Sequence, residues 1–370
     1  MWRMLSLASA LQTAGWQAQI LTAQWHSAWP EQVELRDLPV HRLGPSPSTP
    51  FRSRRFTRAV CDWIVRHGAS FDLLVVDAIE EDALALTARD SEDAPPVFVR
   101  YDTAASGGPL VERLHQRVVT ACRQAAHVMV PHEHALRELV AADVPLEKIS
   151  IVSDGPYPRY DRGTMSRSQA RRALADINYE LFLRAEDRLL ICPGEMTRHA
   201  GLDLLIRALG PLLETKRNVR CWIVGDGPER SRLADLLRRE GWKNDILMPG
   251  TFEDIDVALL AADLCILPGA AQGLSWLFPT AVANGLTTFA CESPSARSRL
   301  GNLASPLLFE QGNTLELRNK VEAWLDCPDA WQPPTTQASA QLRNRPPVID
   351  QWRELVTQFA RTKDRSSGGR

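Results

Sequence analysis

No stretch of this chain reaches the ~18 consecutive apolar residues that a bilayer span needs. The longest candidate, Val257 to Ala271, is interrupted by Asp263 and Pro268. No basic region leads into an apolar core of signal type at the N-terminus, where apolar residues follow helical spacing instead. C-x-x-C pairs are missing as well. The seven cysteines (Cys61, Cys122, Cys192, Cys221, Cys265, Cys291 and Cys327) are dispersed and odd in number, which argues against a disulfide framework or a zinc site. Cys192, Cys221 and Cys265 lie inside apolar runs, where cysteine acts as a small hydrophobe. A dominant charge is absent too: 43 Lys and Arg stand against 45 Asp and Glu, so a net charge of −2 gives no electrostatic reason to expect nucleic acid. The expected setting is cytoplasmic, with no metal and no cofactor.

A chain of 370 residues is too long for one ordinary core, and two domains of roughly 100–200 residues are expected. Strand-like and helix-like segments alternate, the pattern of α/β architecture with parallel sheets. In the first half Trp2–Ala14 reads as a helix, Gln17–Thr22 as a strand, Phe51–His67 as a basic helix and Leu73–Val76 as a buried strand. Glu80–Ala88 (helix), Val97–Arg100 (strand), Leu110–Ala126 (helix), His127–Val130 (strand), His132–Ala141 (helix) and Ile149–Val152 (strand) follow. Asp154-Gly155 with Pro156 and Pro158 then forms a breaker cluster. The second half alternates from Leu189–Cys192 to Thr287–Ala290, with Gly225-Asp226-Gly227-Pro228 as a turn before the helix Glu229–Glu240. The expected organisation is a Rossmann-like N-terminal domain over 1–156, a doubly wound nucleotide-binding-type domain over 157–328 and a linker over 329–347. Residues 348–370 are expected to form a last helix on the N-terminal domain and then a disordered tail. A doubly wound domain ordinarily opens with a strand, whereas Trp2, Leu5, Leu7, Ala10 and Leu11 have helical spacing. The expectation is an N-terminally incomplete gene model first, and a domain that lacks its first strand second.

Four segments of the second half carry chemistry. They are PGEMTRHAGLDLLIRAL (Pro193–Leu209), VGDGPERSRL (Val224–Leu233), MPGTFEDIDVALLAADLCILPG (Met248–Gly269) and LPGAAQGLSWLFPTAVANGLTTFACE (Leu267–Glu292). In this order and at these separations they resemble the retaining family-4 glycosyltransferases. The resemblance covers about residues 5 to 325. It implies the GT-B fold, two Rossmann-like doubly wound domains facing across a cleft. It also implies retaining transfer of a sugar from a nucleotide-diphosphate donor to a glycan or lipid-linked acceptor, as in polysaccharide biosynthesis. The family holds the leaving diphosphate with an Arg and a Lys and carries two glutamates in its last loop and helix. The matching positions here are Glu195, Ala200, Gln272 and Thr280. At Glu195 and Ala200, relative to the family, this is a swing of three charge units beside a dianion, and the four replacements put the transfer activity in question. Donor-binding candidates are Gly194, Arg198 and His199 in one loop, and Gly273, Leu274 and Ser275 at the start of a helix whose backbone donors could cradle an anion. The alternative is a non-catalytic pseudoenzyme serving as scaffold or binding partner in a glycan-synthesis system.

Other constellations have ordinary readings beside sharper ones. Arg100 and Asp102 end a strand and could face a ligand, or be merely exposed. Pro131-His132-Glu133-His134 looks like a metal motif, but His at i and i+2 share no helix face. Gly225-Asp226-Gly227 has Arg230 where a dinucleotide fingerprint needs glycine. Phe51–His67 mixes Arg52, Arg54, Arg55, Arg58 and Arg66 with Phe56, Val60, Trp63 and Ile64. It reads as a packing helix first and a peripheral membrane contact second.

Overall fold

The computed structural model describes residues 2–24, 28–45, 50–77, 95–101, 108–152, 165–252, 255–269, 277–293, 296–297, 300, 304–343 and 347–367. The chain forms two compact units, one of Arg3–Tyr160 with Pro346–Arg370, the other of Asp161–Arg345. The expected helix Glu80–Ala88 and residue Asp102 lie outside the described residues.

Among the described residues the N-terminal unit holds two sheets. The strands β1 (Ile20–Gln24), β2 (Gln32–Leu35) and β3 (Leu38–Pro45) form one, in the order β1-β3-β2. The parallel strands β4 (Leu74–Asp77), β5 (Val97–Arg100), β6 (His127–Val130) and β7 (Ile149–Ile151) form the other, in chain order. Ala23 of β1 and Val76 of β4 belong to one buried core, yet their strands lie in separate sheets.

The β2–β3 hairpin has no signal in the sequence. Its two-residue turn is Arg36-Asp37, with φ of 51° and 60°. Tight hairpins want left-handed residues there, which Asn-Gly or Asp-Gly would announce and Arg-Asp does not. The helix Pro50–His67 buries Phe56, Val60, Trp63 and Ile64 in the core and leaves Arg54, Arg55, Arg58 and Arg66 exposed. Its apolar face is used internally, so packing is the role observed. Among the described residues no helix is long and apolar enough to cross a membrane.

The C-terminal unit is one parallel sheet of β8 (Arg188–Pro193), β9 (Val219–Val224), β10 (Ile246–Gly250), β11 (Leu264–Leu267), β12 (Thr287–Cys291) and β13 (Leu308–Phe309). Its spatial order is β10-β9-β8-β11-β12-β13. The chain therefore winds outward from β8 in one direction, then returns to β11 and winds the other way. That leaves a topological switch point between β8 and β11, outside whose carboxyl ends ligands bind in open α/β sheets. Helices Leu202–Thr215 and Arg230–Glu240 cover one face through Leu205, Leu209, Leu233 and Leu237 against Leu190, Cys192 and Ile223. At the opposite end, Asp263 ties the helix Arg167–Ile177 to the sheet, accepting from Arg167 at 2.8 Å, Arg171 at 2.6 Å and the Leu189 amide at 2.8 Å. This helix was not foreseen, although Ser166 and Gln169 form a reciprocal capping box at its start.

Two expectations about the C-terminal region are corrected. Residues 329–347 are not simply a linker: they contain the helix Gln332–Arg343, with Ala338 and Leu342 buried. Pro333 and Pro334 sit in its first turn, where a missing N–H leaves no intrahelical bond unmade. The last helix runs from Val348 to Ser367 rather than ending at Arg361. It buries Trp352 and Leu355, and Phe359 meets Phe98 edge to face at 5.0 Å.

Candidate functional site

The carboxyl ends of β8, β9 and β11 are joined by backbone packed on backbone. The Gly194 amide donates to Val224 (2.9 Å), Met196 to Asp226 (2.9 Å) and Glu229 to Met196 (3.0 Å). Gly225 has φ of 148°, and a Cβ there would run into the Gly194 carbonyl oxygen. Gly201, at φ 70°, opens the helix Leu202–Thr215, and a Cβ on it would lie 2.5 Å from the Pro268 oxygen. The loops after β8 and β11 thus meet at the switch point, and glycine is what lets them. Gly225→Ala is expected to cost about 3 kcal/mol, since rigid backbone must move to admit the methyl group; the midpoint of urea unfolding checks this.

Glu195 lies in the loop after β8 with an exposed side chain, although burial pushes its carboxyl above the usual carboxylate range. The two facts are compatible if the group keeps solvent on one side while neighbouring protein removes part of its hydration. Ala200, at the position matching the family lysine, is 6% exposed. Arg198 and His199 are both exposed. Arg198 extends to Glu229, its Nε 3.3 Å from Oε1. Glu229 also pairs with Arg232, which forms a fork to Asp203 at 2.8 and 2.6 Å. Hydrogen bonds from Arg232, then from Arg198, hold the Glu229 carboxyl below its ordinary value. The loop's guanidinium therefore already has a carboxylate partner. No sequence signal points to that pairing, because the two residues are 31 positions apart.

Thr280 lies in the helix Leu277–Ala283, 7% exposed, and its Oγ1 is a buried hydroxyl without a hydrogen-bond partner among the described residues. Buried polar groups are ordinarily paired, so a lone hydroxyl on the element after β11 marks a position with hydrogen-bonding capacity to spare. Gln272, Gly273, Leu274 and Ser275 lie outside the described residues.

The remaining motifs find structural roles. His132 caps the helix Glu133–Ala141, its Nδ1 accepting from the Ala135 amide at 3.2 Å, and its ring lies 6.2 Å from that of His134. Among the described residues no group of three or more His, Cys, Asp and Glu could hold a metal. Arg230 donates to the carbonyls of Met248 (2.7 Å) and Gly225 (3.4 Å), bracing the turn in place of the absent third glycine. Arg100 is buried, with Nε 3.9 Å from the Asp77 carboxylate.

Residues 187–327 match the model of the glycosyl transferases group 1, and residues 2–155 that of the glycosyl transferase 4-like domain. A curated relative, alpha-D-kanosaminyltransferase of Streptomyces kanamyceticus, is 24% identical over 213 residues. That match takes in 56% of this chain and about half the length of the relative, 53%. Solved structures share the fold. Sucrose-phosphate synthase (tll1590) from Thermosynechococcus elongatus superposes with a TM-score of 0.69 at 15% identity, covering 96% of this chain and 92% of that one. Anabaena Alr3699/HepE in complex with UDP-glucose gives 0.64 at 16% identity, covering 89% and 86%. The two-unit α/β architecture is the GT-B fold of these proteins.

Proposed function

This chain belongs to the group 1 glycosyl transferases, and from that premise we propose that its C-terminal unit keeps the donor site of a retaining transferase in a weakened form. It holds a nucleoside-diphosphate sugar loosely, at the switch point between β8 and β11, and transfers the sugar poorly. The donor class is supported by the HepE structures, solved with UDP and with UDP-glucose. Binding rests on loop backbone, on Arg198 once released from Glu229, and on the lone Thr280 hydroxyl.

The observation that carries the weakening is the charge of the loop after β8. A departing nucleoside diphosphate gathers negative charge and needs positive partners fixed in advance. Here the loop presents Glu195, keeps Ala200 buried and commits Arg198 to Glu229. A unit charge at ~4 Å is worth up to roughly 4 kcal/mol at an effective dielectric of ~20. Solvent at Glu195 shrinks this without reversing its sign.

Calorimetry with UDP- and GDP-sugars across pH tests the proposal. Their diphosphate diester does not titrate near neutrality, so pH dependence reports on the protein. Glu195 has a raised pKa: its charge, and the repulsion, vanish as pH falls through that value. Affinity is expected to strengthen on acidification, and Glu195→Gln to bind more tightly at pH 8 with a flattened pH profile. Failure of both proteins to bind any such donor at any pH would sink the donor-site reading. The same observation favours a second reading, a non-catalytic partner in a glycan-synthesis assembly, and that reading would then stand.

A further inference from the structure

A cavity of about 430 Å³ lies within the N-terminal unit, between the β1-β3-β2 sheet and the carboxyl end of the helix Pro50–His67. Gln19, just ahead of β1, and Phe71, shortly ahead of β4, place it at the amino ends of those strands. Ligands of doubly wound sheets bind at the carboxyl ends, so this cavity is not the expected place for donor or acceptor.

The charged and titratable groups lining it are Glu31, His41, Arg42, Arg66 and His67, four basic side chains against one acid. Trp63 forms its aromatic wall, stacked on His67 at 4.5 Å and tilted to His41 at 5.2 Å. Hydrogen bonding already assigns one nitrogen of each imidazole. His67 Nδ1–H donates to the Trp63 carbonyl at 2.9 Å, since a carbonyl can only accept, and His41 Nε2 pairs with Gln19 Oε1 at 3.1 Å. The other nitrogen of each ring gains a proton when the ring charges and becomes a donor. Arg66 uses Nε on the Asp62 carbonyl, which leaves its two Nη groups as a fork. Arg42 donates one Nη to the Pro30 carbonyl, and its guanidinium lies over Trp29 at 5.0 Å. These cations outweigh the partial negative charge of the helix end.

We propose that this cavity binds a small organic phosphate ester, with the phosphate held by Arg66, His41 and His67 and the organic part lying along Trp63. The volume decides for an ester over a bare ion, because cavities from ~300 Å³ upward accommodate whole small molecules. Burial, and then the neighbouring His67, hold the His41 imidazole below its ordinary value. A bound anion beside the ring offsets this through Coulombic attraction, so binding and protonation of His41 reinforce one another.

The test is an NMR titration of the imidazole resonances in the full chain, with glucose 6-phosphate, inorganic phosphate and neutral glucose as probes. Glucose 6-phosphate is expected to raise the titration midpoint of His41 by about half a pH unit or more, and to move the ring resonances of His67. Inorganic phosphate is expected to do so more weakly, and glucose not at all. Arg66→Gln, an exposed position, should weaken glucose 6-phosphate about tenfold while leaving the unfolding midpoint unchanged. Excess UDP-glucose should not displace the ester. Unmoved histidines, an equal response to neutral glucose, or displacement by UDP-glucose with no effect of Arg66→Gln would each overturn the proposal. Donor binding in the C-terminal unit is read separately, so neither failure mimics the other.

Discussion

Restoring the four family side chains together, Glu195→Arg, Ala200→Lys, Gln272→Glu and Thr280→Glu, is expected to tighten UDP or GDP binding at least about 100-fold, or ~2.7 kcal/mol. Glu195→Arg and Ala200→Lys add three positive units beside the diphosphate, whereas Gln272→Glu and Thr280→Glu add two negative ones, a net gain of one positive unit. Taken at the upper value of about 4 kcal/mol per unit, the three positive units exceed the expected gain several-fold, and solvent screening together with the two added carboxylates accounts for the discount. Two features of the site bear on the outcome. Ala200 is 6% exposed, so a lysine must run its chain out along the loop, and a thermal-denaturation control is needed to show that the core survives. Arg198 is held by Glu229, so adding Glu229→Gln should free it and increase affinity further. Calorimetry on the restored protein decides the matter. If it ignores every nucleotide while still melting cooperatively, the switch point of this sheet is not a donor site.

The largest loss of stability is expected from Asp263→Ala, about 3–5 kcal/mol. The carboxylate is 4% exposed and takes hydrogen bonds from Arg171, Arg167 and the Leu189 amide. Removing it strands the Arg171 guanidinium, which is 12% exposed and forms no other ion pair among the described residues. The cost arises from that uncompensated charge and from the orphaned amide on β8, not from the loss of a favourable pair as such. Arg188→Ala, which deletes a half-exposed partner 3.7 Å from the same carboxylate, should change stability by less than about 1 kcal/mol. Urea unfolding of the two variants separates these values. A mild effect at Asp263 would mean that water replaces its partners.

The C-terminal sheet was the most legible part of the molecule. Its strands are buried on both faces and read as apolar runs, and glycine, proline and capping residues mark the turns between them. Leu264–Leu267 matches its strand residue for residue, as do Val97–Arg100 and His127–Val130 in the N-terminal unit. The N-terminal hairpin was illegible because Arg36 and Asp37 adopt left-handed backbone that their side chains do not advertise. The helix Gln332–Arg343 was hidden by prolines whose first-turn position makes them harmless.

The candidate site divides in the same way. The sequence alone determined the family frame, the alternation that builds parallel sheets, and the charge character of Glu195, Ala200, Gln272 and Thr280, because side-chain identity and local periodicity are properties of the chain itself. Only the tertiary structure decided that Arg198 is engaged by Glu229, that the Thr280 hydroxyl is buried without a partner among the described residues, that Arg230 braces a turn, and that two histidines and two arginines line a cavity at the amino ends of β1 and β4. Those facts depend on which distant segments the strand order brings together. Hydrogen bonding and desolvation act over a few ångströms of space, and separation along the chain carries no record of that distance.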